Sequence, residues 1–189
     1  AGALLQSGSG TAELTQACTF TGDVTVAAGR LRVDTATVGA ASNRVFLSGG
    51  IFGFASSVAT PTLAALVGTG GTLDVPAGQT LTVSALSGTV TASGNGALIV
   101  SQLAAGAKLT WAGAGSLSIA NAGAGATITA TAGSALAIAQ AGTGVKVSMA
   151  GLNGSLALGS GVELLELEIL ENAAAAVSGS ATIDRITGR

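Results

Sequence analysis

The sequence predicts an all-β protein folded as a single-domain parallel β-helix (β-solenoid), on three observations. The first is a repeat, with a period of about 17–20 residues, in the central and C-terminal part of the chain. The second is an alternation of apolar with small or polar residues within each repeat, the pattern of a strand that buries one face. The third is the abundance of glycine, 30 of 189 residues, because each glycine inside a helix costs about 1 kcal/mol relative to alanine.

Each repeat opens with a strand that begins at a leucine and places a second apolar residue two positions later. We expect these two positions to stack in buried columns along the solenoid. The first column is Leu81, Leu98, Leu117, Leu136 and Leu156, and the second is Val83, Val100, Ile119, Ile138 and Leu158.

A glycine turn and a second strand follow in each repeat. The buried column predicted for this strand is Val90, Leu109, Ile128 and Val147, and the outward rank beside it is Thr91, Thr110, Thr129 and Ser148. Two strands and two turns per repeat predict a flattened coil with two walls. One coil buries about four apolar side chains, worth roughly 1.5 to 3 kcal/mol each. Ordering its backbone costs about 1 to 2 kcal/mol per residue, so we expect coils to be stable only when stacked.

The regular repeat covers residues 63–167 of a single domain that spans residues 1–189. Its most upstream unit is residues 63–80, with Leu73 and Val75 in the second strand. Residues 1–62 predict less regular, wider coils, and residues 168–189 a closing segment with a last strand near 182–186. At about 19 residues per coil, the chain would form roughly eight to ten coils.

The distribution of charge argues against several classes of partner. Between Val45 and Gly161 only Asp74, Lys108 and Lys146 are charged, which leaves neither a basic track for nucleic acid nor an acidic cluster for a metal. We therefore expect no nucleic acid, no metal and no cofactor. The net charge of −2 gives little repulsion between copies and permits self-association.

The single cysteine gives no sign of a disulfide or of catalysis, and the apolar segments give no sign of a membrane span. Cys18 can form no disulfide within the chain, and the absence of histidine leaves it without the usual base, so a buried thiol is expected. No uninterrupted run of 18 apolar residues and no signal-peptide pattern is present, so no membrane span is predicted. The opening AGALLQ is compatible with a mature end left by signal cleavage.

The strings CTFTGDVTVAAGRLRV, RVFLSGGIFGF and GTLDVPAGQTLTVSALSG resemble the autotransporter-associated β-strand repeat of exported bacterial surface proteins. The resemblance covers about residues 19–88, with Phe20 where the family often has tyrosine. It implies a right-handed parallel β-helix, export, and a stalk-like or adhesive role. A passenger fragment, a released passenger and another protein that uses the repeat are all compatible with it. The matching segments are Thr21-Gly22, Val24-Thr25-Val26, Ala28-Gly29, Leu31-Arg32-Val33 and Gly71-Thr72-Leu73-Asp74.

Two polar columns are candidate sites. Gln102, Asn121 and Gln140 occupy one repeat position and predict a structural amide ladder, with sugar binding as the alternative. The threonine rank contains T-x-T pairs of the kind that could bind ice, but Lys108 and Lys146 interrupt the hydroxyl array, which favours a solvated strand face.

Four acids near the C-terminus are the remaining candidates. They could be paired for glycoside hydrolysis. They stand close together on one segment without supporting histidine or tyrosine, which favours a charged, end-capping edge. These acids are Glu163, Glu166, Glu168 and Glu171.

These observations predict a non-catalytic extracellular structural protein, secreted or on the bacterial cell surface. We expect it to be a building block of a fibre, coat or adhesin that forms a homo-oligomer or polymer through its terminal coils. Contact with a surface or a glycan is a further possibility. The alternatives are a phage or tailocin fibre segment and an ice- or carbohydrate-binding β-solenoid.

Overall fold

The computed structural model describes residues 2–38, 43–131, 133–151, 154–170 and 175–188. Within these residues the regular elements are β-strands, and every strand pairing is parallel. The strands stack into a β-solenoid of about 9 turns, which confirms the predicted fold class.

The strands in chain order are β1 (Leu4–Gln6), β2 (Thr11–Leu14), β3 (Val24–Val26), β4 (Arg30–Val33), β5 (Arg44–Leu47), β6 (Ile51–Phe54), β7 (Thr62–Asp74), β8 (Thr80–Ser93), β9 (Ala97–Leu103), β10 (Lys108–Trp111), β11 (Ser116–Ala122), β12 (Thr127–Ala130), β13 (Ala135–Ala141), β14 (Lys146–Met149), β15 (Gly154–Leu158), β16 (Val162–Leu164), β17 (Glu166–Ile169), β18 (Ala175–Ser178), β19 (Ala181–Ile183) and β20 (Ile186–Gly188).

Strands of successive coils pair in register at the repeat distance. Leu81 pairs with Leu98, Leu98 with Leu117, Leu117 with Leu136, and Leu136 with Leu156. These intervals are the coil length that the sequence predicted. In the N-terminal coils Leu4 pairs with Val24, and Val24 pairs with Val45, so successive coils there are in register as well.

The paired strands line up in three stacks along the solenoid, which we call walls, and most coils contribute strands to two of them. The first wall contains β9, β11, β13, β15 and β18 and the beginnings of β7 and β8. The second wall runs from β1, β3 and β5 through the middle of β7 and β8 to β16 and β19. The third wall contains β2, β4, β6, the ends of β7 and β8, and β10, β12, β14, β17 and β20.

The prediction of two strands per coil holds for β9 and β10, β11 and β12, and β13 and β14, but β8 runs through all three walls. Leu81 and Val83 are buried in strict alternation, but the next two residues, Ser84 and Ala85, are both exposed before Leu86 is buried again. Two consecutive outward residues cannot occur in a straight strand, so they mark a corner between the first and second walls. Because this corner contains no glycine or proline, it carries no turn signal in the sequence.

The upstream unit is also shifted from its predicted alignment. Leu63 pairs with Val83 and not with Leu81, and the pairing of β7 with β8 changes register between Thr69 and Thr72. A register shift of this kind is the effect of a β-bulge, which inserts a residue into one strand and increases its local twist.

The core is a continuous set of apolar columns inside the three walls. Trp111 is its largest fully buried side chain, and its column neighbours are Ala92 in one adjacent coil and Ala130 in the other. Two small residues on either side of a large one keep the packing close without strain. The indole Nε1–H of Trp111 donates a hydrogen bond to the carbonyl oxygen of Gly115 (3.3 Å).

Glycine is required at the turns between the second and third walls. Gly106, Gly125 and Gly144 occupy equivalent turns with φ of 67°, 68° and 76°, in the left-handed region that favours glycine. At the turn into the first wall the requirement is close contact, because a Cβ added to Gly115 would overlap the carbonyl oxygen of Gly96 in the adjacent coil.

Candidate functional site

The residues of the predicted core columns lie inside the solenoid. The two leucine-led columns run along the first wall, where Leu98, Leu117 and Leu136 stack in register. Val83, Val100, Ile119, Ile138 and Leu158 stack beside them. Val90, Leu109, Ile128 and Val147 stack on the third wall. All of these side chains are buried, so they hold the coils together.

The threonine rank lies on the outer face of the third wall. Thr91, Thr110, Thr129 and Ser148 pair in register and are half-buried. The neighbouring outward column alternates hydroxyl and charge. Lysine ammonium groups therefore stand between the hydroxyls, and this wall presents no continuous array of threonine. The alternating column is Thr89, Lys108, Thr127, Lys146 and Glu166.

The amide column lies at the corner between the first and second walls. Gln102 pairs with Asn121, and Asn121 pairs with Gln140. Within the described part of the chain, these three amides exchange no side-chain hydrogen bond. Asparagine is one methylene shorter than glutamine, and Asn121 is half-buried where its two neighbours are exposed.

A groove of about 550 Å³ opens beside this amide column. Ala122 and Ala141 line it, and Ser160, Gly161 and Val162 close it at the C-terminal side. On the inner side of the same strands, leucine gives way to alanine. The column there reads Leu66, Leu86, Leu103, Ala122 and Ala141. Each replacement of leucine by alanine removes three carbon atoms from this inward-facing column.

The described acids do not come together in one site. Glu163 is exposed on β16 in the second wall, whereas Glu166 and Glu168 are on β17 in the third wall. Glu168 accepts a hydrogen bond from the Ser148 hydroxyl (3.3 Å). Glu171, the fourth acid of the predicted cluster, lies outside the described residues.

Glu166 is held by two cations from adjacent coils. Its carboxylate contacts the guanidinium of Arg185 at 2.6 Å and the ammonium of Lys146 at 3.4 Å. The hydrogen bond from Arg185 lowers the pKa of Glu166 below its ordinary value of 4.5, and Lys146 adds to the effect. A general acid for glycoside hydrolysis needs the opposite shift.

Cys18 is partly buried in the N-terminal part of the solenoid. Its thiol approaches the backbone carbonyl of Gln16 at 3.3 Å. In the chain as described there is no group of three or more histidine, cysteine, aspartate or glutamate residues placed to hold a metal ion.

The structure brings together residues that sequence reasoning did not connect. Arg30 reaches across two coils to Asp74, with its guanidinium 2.8 Å from the carboxylate. Gly53, in the intervening coil, stacks directly against Asp74, and its lack of a side chain leaves room for this contact. Gln79 is buried, and its amide donates to the carbonyl oxygens of Ala55 (3.1 Å) and Val58 (2.8 Å). No pattern in the sequence distinguishes Gln79 from an exposed turn residue.

The column in which leucine gives way to alanine, beside the amides, is marked in the sequence. Aligned repeats read SAL, SQL, ANA and AQA at the corner, so the change from leucine to alanine is visible once the register is known.

Comparison of the chain with protein-family models, with curated proteins and with solved structures found no match. None of the residues that the structure describes belongs to a helix long and apolar enough to cross a membrane.

Proposed function

We propose that this chain is a non-catalytic structural building block of an extracellular bacterial fibre, coat or adhesin, and that copies associate through their terminal coils. The proposal rests on the strands at the two ends of the stack, which in the part of the chain that the structure describes have an unpaired outer edge. Among the described residues, β1 and β2 at one end and β18, β19 and β20 at the other pair on one side only. Their outer edges offer free backbone N–H and C=O groups, which are a template for further strands.

The exposed hydrophobic side chains support the same proposal. Among the described residues, the large exposed ones are confined to the first coil and the last two. Val177 stacks on the buried Leu156, and Ile186 stacks on the buried Leu167, so both continue core columns. They are nevertheless 46% and 64% exposed in the structure. A coil from a second copy would bury them and extend the columns.

The family resemblance and the location belong to the same proposal. The matched residues Val24–Val26 form β3, and Arg30–Val33 form β4. The matched Gly29 between them has φ of 63°, as an Ala-Gly turn requires. We assign the chain to the autotransporter-associated type of repeat on this basis, with export to the cell surface as its consequence.

Concentration-dependent assembly tests the proposal. The 189-residue chain is examined by sedimentation velocity and negative-stain microscopy over a range of concentrations. We expect filaments whose width is that of a single solenoid. The variants Val177→Lys and Ile186→Lys place a charge on the outer edge of the last coil and should leave the chain monomeric, since lysine is an effective block on strand edges.

The matched control is Ser118→Lys, which adds the same charge to the outer face of the first wall in the middle of the stack. End-to-end assembly should survive this change. Loss of assembly in Ser118→Lys alone would indicate lateral contacts and contradict the end-coil proposal. A stable trimer without larger species would instead favour the phage fibre alternative, and a chain that remains single at high concentration would exclude self-assembly.

A further inference from the structure

We propose that the groove at the corner of the first and second walls is a binding site for a neutral saccharide. This inference is independent of assembly, because the groove lies on the side of the solenoid and not on an end coil. It rests on the shape of the groove, on its unpaired amides and on the absence of charge around it.

The shape of the groove suits a small ligand. Its volume of about 550 Å³ is within the roughly 300 to 1,000 Å³ that small-molecule sites occupy. Its lining includes Gly123, Ala141 and Gly142, so part of the floor is apolar and without large side chains. A floor of this kind accepts the C–H face of a sugar ring.

The rim of the groove supplies hydrogen bonds. Gln102, Asn121 and Gln140 each present one carbonyl oxygen and one NH₂ group. Their side chains have no hydrogen-bond partner in the portion of the chain that the structure describes. Successive coils are about 4.8 Å apart, so three amides at this spacing span roughly 10 Å along the solenoid axis. Each amide can donate to and accept from a hydroxyl, which is itself both donor and acceptor.

The electrostatics select a neutral ligand. None of the residues lining the groove is charged. A carboxylate, sulfate or phosphate on the ligand would lose water without gaining an opposite charge, and an ammonium group would meet no carboxylate. A hydroxyl-rich, uncharged molecule with an apolar face therefore fits better than an ionic one.

A saccharide also fits better than a peptide. Extended peptides bind to sheets mainly by adding a strand to a free edge. At the groove β11 is already paired with β9 on one side and β13 on the other, so its backbone offers no edge. What remains available is the side-chain amides, and these match hydroxyls arranged along a chain of sugar rings.

Titration with defined oligosaccharides tests the proposal. The 189-residue chain is titrated calorimetrically with cello-, xylo-, manno-, malto- and chito-oligosaccharides, and in parallel with oligogalacturonate and heparin fragments as anionic probes. We expect binding of at least one neutral series and none of the anionic probes. The double variant Gln102→Ala/Gln140→Ala should weaken that binding by roughly tenfold or more, because two hydrogen-bonding amides are lost.

Gln16→Ala is the matched control, since it removes an exposed glutamine far from the groove. It should bind like the unchanged chain. The emission of Trp111, the single tryptophan, verifies that each variant is folded. Failure of every neutral oligosaccharide to bind would overturn the proposal, as would equal binding of the anionic probes or unchanged affinity in the double variant. A peptide that binds and is displaced by none of the sugars would overturn it too.

Discussion

At the scale of the residue, the fold depends on buried side chains that stack on similar side chains in the two adjacent coils. Leu117 is 1% exposed and lies between Leu98 and Leu136. Its neighbour Ser118 points outward and is exposed. The two positions belong to one strand and one pairing register, so they separate the contribution of core packing from that of strand formation.

Leu117→Ala should therefore destabilise the protein by about 2 to 5 kcal/mol, the range for a leucine truncated in a core that cannot collapse around it. The backbone of a stacked coil is fixed by hydrogen bonds on both sides, which limits its relaxation. Urea unfolding followed through Trp111 fluorescence measures the change. Ser118→Ala should shift the free energy of unfolding by less than about 0.5 kcal/mol. Similar losses in the two variants would show that burial in the column is not what stabilises the coil.

At the scale of the element, the third wall carries an ion-pair ladder that ties three successive strands together. Lys146 on β14, Glu166 on β17 and Arg185 just before β20 contribute one charged group from each coil. The central carboxylate contacts both cations, and the hydrogen bond from Arg185 is the larger cause of its lowered pKa.

This ladder predicts a pH dependence with a definite sign. The pKa of Glu166 is lower in the folded chain than its ordinary value of 4.5, so the folded state binds fewer protons than the unfolded state. The stabilisation is complete above the ordinary value and is lost as the pH falls through the lowered folded pKa. Glu166→Gln should consequently be less stable than the unchanged chain at pH 6, and the difference should shrink towards pH 3. Urea midpoints measured between pH 3 and 7 test this.

Glu163→Gln is the control for the ladder. Glu163 is exposed on β16 and, in the part of the chain covered by the structure, contacts neither Lys146 nor Arg185. This variant should follow the pH profile of the unchanged chain. A difference for Glu166→Gln that is constant with pH would contradict the assignment to the ladder.

At the scale of the whole molecule, the central coils are interchangeable. Ser116 begins one coil and pairs with Ala135, which begins the next. Ala97 pairs with Ser116 in the same way. Removing residues 116–134 would let β9 stack directly on β13 with every inward residue still facing inward.

A deletion of that one coil should therefore fold. We expect a shorter solenoid with strand-type circular dichroism, buried Trp111 emission and lower stability, since stability in stacked repeats grows with the number of interfaces. The control is removal of residues 116–125, which is about half a coil. This deletion puts the strands of the following coils out of register with those before it, and we expect the variant to remain unfolded. Folding of both variants, or of neither, would be inconsistent with independent coils.

The sequence by itself determined the columns. Leucines and valines that recur once per coil fix which residues stack, because pairing every strand in parallel requires nearly equal coil lengths and a constant inward face. The spacing of Leu98, Leu117 and Leu136 contains that information, as does the glycine before each third-wall strand. The middle wall did not follow from the same pattern, since the corner at Ser84 and Ala85 is marked only by a break in alternation.

Only the tertiary structure determined the groove and the long-range ion pair on the surface of the solenoid. The groove is lined by Gln102, Asn121, Gln140 and Ser160, which belong to four successive coils and come together only when the coils are stacked. The contact of Arg30 with Asp74 likewise crosses 44 residues of chain to join groups two coils apart. Periodicity encodes neighbours along the axis, whereas corners, hollows and diagonal ion pairs depend on how the three walls meet in space.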